Sequence, residues 1–190
     1  MYLFFDTETT GIPKNYKAPA ADTGNWPRLV QLAWILTDSD GKEINHAEFI
    51  IRSEGYTIPD DAAKVHGITT EVAINTGVDL KVAMDAILKD IEKAAVLIAH
   101  NVQFDEKILG AELIRLGHAN HIEAKPRKCT MQSSTDYCKL PGPYGYKWPR
   151  LQELYQKLFN VNFTGAHRAI TDVRACARCY FELQRLGVMV

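Results

Sequence analysis

The chain has 190 residues, of which 46% are hydrophobic and 24% are charged, enough for one compact domain with a substantial core. Lys and Arg total 22 and Asp and Glu total 23, so the formal net charge of -1 does not by itself indicate a nucleic-acid-binding protein. No apolar stretch is long enough to cross a bilayer, so no membrane-spanning helix is expected.

The first part of the sequence predicts three strands. Tyr2–Phe5 is a short apolar run typical of a buried strand, and residues 12–27 have the Pro, Gly, Asn and Asp content of a long loop. Leu29–Leu36 is almost continuously apolar and predicts a second buried strand. The Asp-Gly pair at 40–41 marks a hairpin turn, so residues 43–52 are expected to form a third strand antiparallel to the second.

Helices are predicted after the third strand. Residues 59–65 predict a short helix that ends at Gly67. Apolar residues then recur at helical spacing over 80–91, with Asp79 as the expected N-cap. Residues 96–99 form another apolar run of strand length.

The rest of the chain alternates between the two kinds of element. In order, we expect a helix over 108–116 ending at Gly117, a fifth strand around 129–131, a loop over 141–148, a helix over 151–159 and a last helix over 170–181 closed by Gly187. Three strands followed by alternating helices and strands predict an α/β fold, with a mixed sheet covered by helices.

Four cysteines are present: Cys129, Cys138, Cys176 and Cys179. The last two form a CxxC pattern, but it falls inside an apolar helical pattern and no second pair stands at zinc-ribbon spacing. We therefore predict reduced, buried thiols, since a free cysteine packs as a small hydrophobic residue.

Two carboxylates stand close together after the first apolar run. Asp6 and Glu8 lie in DTETTG, and side chains two residues apart on a strand point to the same side. Such a pair repels unless a cation lies between its members, and Mg²⁺ and Mn²⁺ are bound by oxygen ligands. The alternative is a turn with solvated acids, which this motif alone does not exclude.

Two later motifs carry further candidates. Asp105 lies in HNVQFD, in the first turn of the helix that follows the strand over 96–99. His167 and Asp172 lie in HRAITD, at the start of the last helix, where one can chelate a metal while the other reaches a metal-bound water. Each has a simpler alternative role, because acids are favoured at helix N-termini and a lone histidine is often a surface or capping residue.

Together the three motifs resemble a known family. DxETTG, then HNxxFD, then HxAxxD is similar to the DEDD exonucleases, in the subgroup named for its histidine (DEDDh). This family includes the proofreading epsilon subunit of bacterial DNA polymerase III, ribonuclease T and the oligoribonucleases. The resemblance implies a ribonuclease H-like fold with a five-stranded mixed sheet flanked by helices.

The resemblance also implies an assignment of roles. Asp6, Glu8, Asp105 and Asp172 match the four metal-binding acids, and His167 matches the general base. The implied cofactors are two divalent ions, Mg²⁺ or Mn²⁺. The first would lie among Asp6, Glu8 and Asp172, and the second would be held by Asp6, with Asp105 acting largely through water.

The same resemblance suggests substrate-binding residues. Thr9 and Thr10 match positions near the last sugar of the strand, and His66 and Ile68 match a loop that packs on the terminal base. The alternative for that loop is a Gly-capped helix with Ile68 in the core. Asn101 is expected to orient the second motif, although a plain turn role is an equal alternative.

Two loops combine cationic and aromatic residues: Lys14, Tyr16, Lys17, Trp26 and Arg28 in one, and Tyr144, Tyr146, Lys147, Trp148 and Arg150 in the other. Aromatic rings stack on bases and cations follow phosphates, so both loops are candidates for strand binding. The alternative is that the aromatic rings fold back and order the loops.

The sequence thus favours a single exonuclease domain over 1–190 that removes 5′-monophosphates from 3′ ends of single-stranded nucleic acid, DNA more than RNA. A catalytically inactive binding module and an internally cutting ribonuclease of related fold are the alternatives. The site begins at Asp6, which leaves no room for a signal peptide, so a cytoplasmic location is expected. No membrane is expected as a partner, a polymerase or repair protein is a candidate partner, and the oligomeric state stays open.

Overall fold

The computed structural model describes residues 1–165 and 168–189. Its main sheet contains β1 (Tyr2–Thr9), β2 (Leu29–Thr37), β3 (Glu43–Ile50), β4 (Val96–Ala99) and β5 (Arg127–Cys129). The helices of the described residues are α1 (Asp60–His66), α2 (Thr70–Thr76), α3 (Leu80–Lys93), α4 (Val102–Arg115), α5 (Thr130–Ser133), α6 (Thr135–Cys138), α7 (Leu151–Phe159) and α8 (Ala169–Arg185). A short 3₁₀ turn covers Ile122–Ala124.

The five strands lie in the order β3-β2-β1-β4-β5. The pairs β3–β2 and β2–β1 are antiparallel, whereas β1–β4 and β4–β5 are parallel. β1, β2 and β3 follow one another in the chain, and such consecutive strands commonly pair antiparallel. The parallel pairs with β4 and β5 need crossover connections, which the helices before these two strands provide. The prediction of a ribonuclease H-like α/β fold with a five-stranded mixed sheet is confirmed.

β1 is the central strand, and its alternating side chains enter two different cores. Leu3 and Phe5 pack in the core that α3 and α4 complete, whereas Phe4 packs with α8 and α7 on the opposite face. Every residue of β2 is buried as well. A sheet covered by helices on both faces explains why the first two strands are apolar runs rather than alternating patterns.

The elements differ from the sequence prediction near their ends. β1 continues four residues beyond Phe5, to Thr9, because its polar end still pairs with β2 as far as Leu29. α4 begins at Val102, six residues before the first apolar residue that indicated it. Strand pairing and tertiary packing determine where these elements end, and the apolar periodicity of a single sequence does not reveal these positions.

Other differences lie between the predicted elements. The fifth strand is Arg127–Cys129 rather than a strand centred on 129–131, because the chain turns into α5 at Thr130. α2 and α6 were not predicted, and the loop over 141–148 contains a small hairpin of β6 (Pro141–Gly142) and β7 (Gly145–Tyr146). Short helices and two-residue strands lack enough repeats to show a period.

All four cysteines are buried and unpaired, as predicted. Among residues 1–165 and 168–189, no helix is both long and apolar enough to cross a membrane.

Candidate active site

The polar end of β1 divides its side chains between the two faces of the sheet. Asp6 and Glu8 lie on the α8 face, opposite Ala33 and Gln31 of β2, and Thr7 lies on the α4 face. Both acids are only partly buried. The strand period therefore places the two carboxylates side by side, as the sequence predicted.

The third acid of the cluster comes from the start of α8. Asp172 lies in the first turn of this helix, which packs across β1 and β2. One carboxylate oxygen from each of Asp6, Glu8 and Asp172 lies within 4.8 Å of the others. This spacing brings together two acids of the first motif and one of the last.

Two residues of the sheet orient the beginning of α8. Gln31 Oε1 accepts from the backbone N–H of Ala169 at 3.4 Å, and Gln31 Nε2 donates to Glu48 Oε1 at 3.1 Å. The second oxygen of Glu48 lies 3.8 Å from the guanidinium of Arg168. Gln31 and Glu48 thus position the segment from which Asp172 projects, a role that no sequence motif indicated.

Asp105 approaches the site from the other face of the sheet. It lies in the first turn of α4 and is only 3% exposed. Its Oδ1 accepts from the backbone N–H of Thr7 at 3.0 Å and from the Thr7 hydroxyl at 2.7 Å. Thr7, the residue between the two β1 acids, therefore fixes one oxygen of Asp105 beside them.

Burial and mutual repulsion perturb these acids. The pKa of Asp6 is raised well above its ordinary value by burial first, then by the charges of Asp105, Glu8 and Asp172. Burial and the neighbouring charges raise the pKa of Glu8 to about 8. Burial raises the pKa of Asp105 to about 7, against the lowering effect of the two Thr7 donors.

The donor set fits a divalent cation. Carboxylate oxygens are the ligands that Mg²⁺ and Mn²⁺ prefer, and three of them lie within chelating distance of one another. Raised carboxylate pKa values indicate an excess of negative charge that a bound cation would offset. The described residues therefore suit an acid-lined metal centre.

His167, the predicted general base, lies outside the described residues. The structure describes the chain again from Arg168, which is exposed at the start of α8. The order of the motif places His167 directly before this anchored segment.

The four carboxylates line a cavity of about 540 Å³, which we call the acid cavity. Its lining also includes the rings of Phe104, Trp148 and Phe163 and the guanidinium-bearing residue Arg150. A cavity with acids at one part of its wall and aromatic rings at another suits a ligand with both a phosphate and a base.

His100 links the second motif to the loop that carries Trp148. Its Nε2 lies 2.9 Å from the carbonyl oxygen of Pro149, and its Nδ1 lies 2.9 Å from Oγ1 of Thr130. Because a carbonyl only accepts, Nε2 carries the proton and Nδ1 accepts from the threonine hydroxyl. Burial lowers the pKa of His100 to about 4, so the ring is neutral at physiological pH.

The predicted sugar-binding threonines line the turn after β1. The Thr9 hydroxyl donates to the carbonyl of Gly11 at 2.6 Å. The Thr10 hydroxyl accepts from the backbone N–H of Arg28 at 3.0 Å. Both side chains therefore help to shape this turn, which directly follows Glu8.

The predicted base-binding loop lies on the β2 side of β1. His66 Nδ1 accepts from the backbone N–H of Ile68 at 3.1 Å, and the buried Nε2 has no hydrogen-bond partner among the described residues. The pKa of His66 is lowered by burial, partly offset by the backbone of Thr9. Ile68 is 5% exposed and packs in a small apolar core, yet it also borders a second cavity beside β2 and β3.

Asn101 precedes α4 in the left-handed conformation, with φ 87° and ψ 46°. Asparagine tolerates this region better than most other residues, and the conformation turns the chain from β4 into α4 within one residue. Its side chain lines the acid cavity and makes no capping hydrogen bond to the helix. Asn101 thus forms the turn between β4 and α4.

The sequence did not single out Thr7, His100 or Gln31 as parts of the site. Thr7 could have been found from the strand period, which places it opposite the two acids and hence toward the helix with Asp105. The roles of His100 and Gln31 depend on residues far away in the chain, so no local pattern signals them.

The raised pKa values predict how pH and metal act on stability. The folded state retains protons on Glu8 and Asp105 up to about 8 and about 7, whereas unfolded carboxyls lose them near pH 4. The folded state then binds more protons, so the free energy of unfolding falls as pH rises through this window. We expect the Tm of the wild type in EDTA to fall more steeply between about pH 5 and pH 8 than that of Glu8→Gln. Mn²⁺ should remove much of this fall, and equal slopes for the two proteins would contradict the argument.

Comparisons with known proteins agree with the fold and the motifs. The family described as Exonuclease (RNase T type) matches residues 3–180. The DNA polymerase III subunit epsilon of Treponema pallidum (strain Nichols) is 26% identical over 181 residues, which cover 94% of this chain and 74% of that protein.

Solved structures of Escherichia coli exonuclease I share the fold. The zinc-bound complex with single-stranded DNA has a TM-score of 0.76 at 23% identity and covers 97% of this chain. The complex with a dT13 oligonucleotide has a TM-score of 0.76 at 22% identity and covers 98% of this chain. The chain corresponds to only 40% and 42% of those two chains.

The matched family spans nearly the whole chain, and the acids of all three motifs lie around one cavity. The chain therefore belongs to the exonuclease family, as a member of its DEDDh type of 3′–5′ exonucleases.

Proposed function

We propose that this chain hydrolyses the terminal phosphodiester bond at 3′ ends of single-stranded nucleic acid, with DNA preferred, and releases nucleoside 5′-monophosphates. The observation that carries the proposal is the convergence of Asp6, Glu8 and Asp172 within 4.8 Å, with Asp105 oriented beside them by Thr7. The printed names of the relatives, a polymerase epsilon subunit and an exonuclease bound to single-stranded DNA, support the substrate class.

Two divalent cations, Mg²⁺ or Mn²⁺, would bind these acids. Asp6, Glu8 and Asp172 would hold one, and Asp6 would hold the other, with Asp105 acting largely through water. When bound, such ions supply Lewis-acid stabilisation of charge on the attacking and leaving oxygens of the phosphate.

The chain's own residues would supply the proton transfer and the positioning. His167 would take the proton of the attacking water as general base, a role that suits imidazole. Gln31 and Glu48 fix the start of α8, from which Asp172 reaches the other acids. Thr9, Thr10, His66, Ile68 and Asn101 would bind the terminal nucleotide around the β1 end.

A strand-specific assay tests the proposal against its alternatives. Single-stranded DNA, single-stranded RNA and mismatched duplex, each labelled at the 5′ end, are incubated with Mg²⁺ or Mn²⁺ or with EDTA. We expect a ladder that shortens one nucleotide at a time from the 3′ end, fastest on single-stranded DNA and absent in EDTA. Internal fragments would indicate the internally cutting ribonuclease, and binding without hydrolysis would indicate the inactive binding module.

The proposed base makes a separate prediction. His167→Ala should lower turnover by roughly 10²–10⁴-fold while Mn²⁺ binding, measured by calorimetry, stays close to that of the wild type. His118→Ala removes an exposed histidine from the turn after α4 and serves as the control, with turnover expected to be unchanged. Full activity of His167→Ala would reject the assigned role.

The protein partner, the domain organisation and the cellular location are also predictions. The relation to a polymerase epsilon subunit makes a polymerase the first partner to test, for example by co-purification. The single-domain organisation over 1–190 and the cytoplasmic location are proposed on the sequence arguments alone.

A further inference from the structure

A small aromatic cleft opens beside the acid cavity. We use this name for the space of about 200 Å³ lined by Tyr16, Trp26, Asn101, Gln103, Phe104 and Trp148. Four of the six residues are aromatic, and they come from both loops that the sequence singled out and from the start of α4. The cleft has no assigned role in the site described above.

The cleft adjoins the cavity lined by the acids. Asn101, Phe104 and Trp148 line both spaces. A strand whose phosphate lies at the acids can therefore place a neighbouring base in the cleft without leaving the surface of the protein.

The walls of the cleft divide into fixed and accessible rings. Trp26 is only 4% exposed and donates through Nε1 to the carbonyl of Pro19 at 3.0 Å, so it belongs to the loop's own core. Phe104 packs between this ring and Tyr16, with centroid distances of 6.5 Å to each. Tyr16 and Trp148 are 58% and 61% exposed, which leaves ring surface available for stacking.

The loop that carries Trp148 is anchored at the next residue. His100 donates to the carbonyl of Pro149, and Glu153 accepts from the backbone N–H of Arg150 at 2.8 Å. An exposed aromatic ring on an anchored backbone loses little conformational entropy when a flat ligand stacks on it.

The sheet order places the cleft relative to a bound strand. β1, with the acids, lies between β2 and β4. His66 and Ile68 lie with the cavity on the β2 and β3 side, whereas the cleft adjoins the start of α4, directly after β4. A strand whose terminal nucleotide meets His66 and Ile68 would cross the acids and reach the cleft with a base on the 5′ side of the scissile phosphate.

We infer that the aromatic cleft is a base-stacking subsite for a nucleotide upstream of the scissile phosphate in single-stranded nucleic acid, an inference that rests on the proposed function. Stacking on Trp148 and Tyr16 accepts any base, as a sequence-tolerant exonuclease requires. The exposed cations Lys14, Lys17 and Arg150 of the same loops supply contacts for the phosphates of this upstream segment.

A comparison of two substrates tests the subsite. A decamer of thymidylate reaches both the acids and the cleft, whereas the methyl ester of thymidine 5′-monophosphate has no ring on the 5′ side of its phosphate and reports on the acids. Trp148→Ala should lower the ratio of kcat/KM for the decamer to kcat/KM for the ester by roughly tenfold to a hundredfold. Trp148→Phe should restore most of this ratio, because a phenyl ring still stacks.

Tyr144→Ala is the matched control, since Tyr144 is a fully exposed aromatic residue of the same loop that does not line the cleft. This variant should keep the wild-type ratio. If Trp148→Ala hydrolyses both substrates in the wild-type ratio, the subsite is wrong and the proposed function stands.

If the wild type hydrolyses neither substrate, the proposed function fails, and a binding titration decides the subsite. Quenching of Trp148 fluorescence by the decamer, corrected with Trp148→Phe, would support the stacking site, because Trp26 and Trp34 are buried. No quenching beyond that of the corrected control would overturn it.

Discussion

Replacing Asp6 by asparagine is expected to lower nuclease turnover by roughly 10⁴-fold or more and, at the same time, to raise the Tm of the metal-free protein. The activity falls because Asp6 would contribute to both metal positions, and metal ions supply several kcal/mol of transition-state stabilisation. The Tm rises because the partial burial of Asp6 and the charges of Asp105, Glu8 and Asp172 disfavour its ionised form. An amide of the same shape removes that repulsion.

Two measurements separate these effects. The wild type should gain Tm when Mn²⁺ is added, and Asp6→Asn should respond far less because its ligand set is incomplete. Glu71→Gln removes an exposed acid from the first turn of α2 and should leave both turnover and the Mn²⁺ response unchanged. The argument would be contradicted if metal-free Asp6→Asn were less stable than the wild type. That result would mean that other groups of the fold already balance the charge of Asp6, so that no metal is needed for this purpose.

The architecture of the site could be predicted in part from local patterns. The strand period placed Asp6 and Glu8 on one side of β1, and the motif order placed Asp105 in the first turn of a helix. Both predictions rest on spacing within a few residues, where backbone geometry dictates side-chain direction. The five-stranded mixed sheet was predicted through the family resemblance, whereas the order of its strands is known only from the structure.

The supporting contacts could not be predicted, because each joins distant parts of the chain. Thr7 of β1 donates to Asp105 of α4, and Gln31 accepts from the first residue of α8. In the sequence, Gln31 is one polar residue in an apolar strand and Thr7 is one letter of a motif. Their roles appear only when the parallel pairing of β1 with β4 and the packing of α8 are known.

The roles of the rings in the two aromatic loops could not be predicted from the sequence either. The sequence left open whether their rings bind a strand or order the loops, and the structure assigns different roles to different rings. Trp26 is buried in its own loop, Tyr144 is fully exposed, and Trp148 lines the acid cavity. Composition alone cannot distinguish these positions, because solvent exposure depends on how each loop folds against α4.

The long loop after β1 is attached to α4 by a buried carboxylate. Glu112 is fully buried, and its Oε1 accepts from Arg28 Nε at 2.9 Å, from Arg115 at 2.8 Å and from the backbone N–H of Leu29 at 2.9 Å. Arg115 in turn donates to the carbonyls of Thr23 and Trp26 at 2.6 and 2.7 Å. One acid therefore organises two arginines and the end of the loop that carries Tyr16.

Glu112→Gln is accordingly expected to lower the free energy of unfolding by about 2–4 kcal/mol. Removing one partner of a buried ion pair typically costs about 3–5 kcal/mol, and the partial exposure of both arginines reduces this figure. The amide keeps the shape of the side chain but leaves two guanidinium groups without their counter-charge. Urea unfolding near pH 7 measures the loss, with an unchanged m-value as evidence that the fold is retained.

Glu123→Gln breaks an exposed ion pair with Lys107 and should cost less than about 1 kcal/mol, which makes it the control for loss of a carboxylate. If Glu112→Gln is equally mild, backbone contacts rather than this acid order the loop. If the predicted loss is found, KM for an oligonucleotide should also rise, because the loop presents Tyr16 to the aromatic cleft. A carboxylate remote from Asp6, Glu8 and Asp172 would then govern strand binding through the order of one loop. Hydrolysis of the mononucleotide ester would change less than hydrolysis of the decamer.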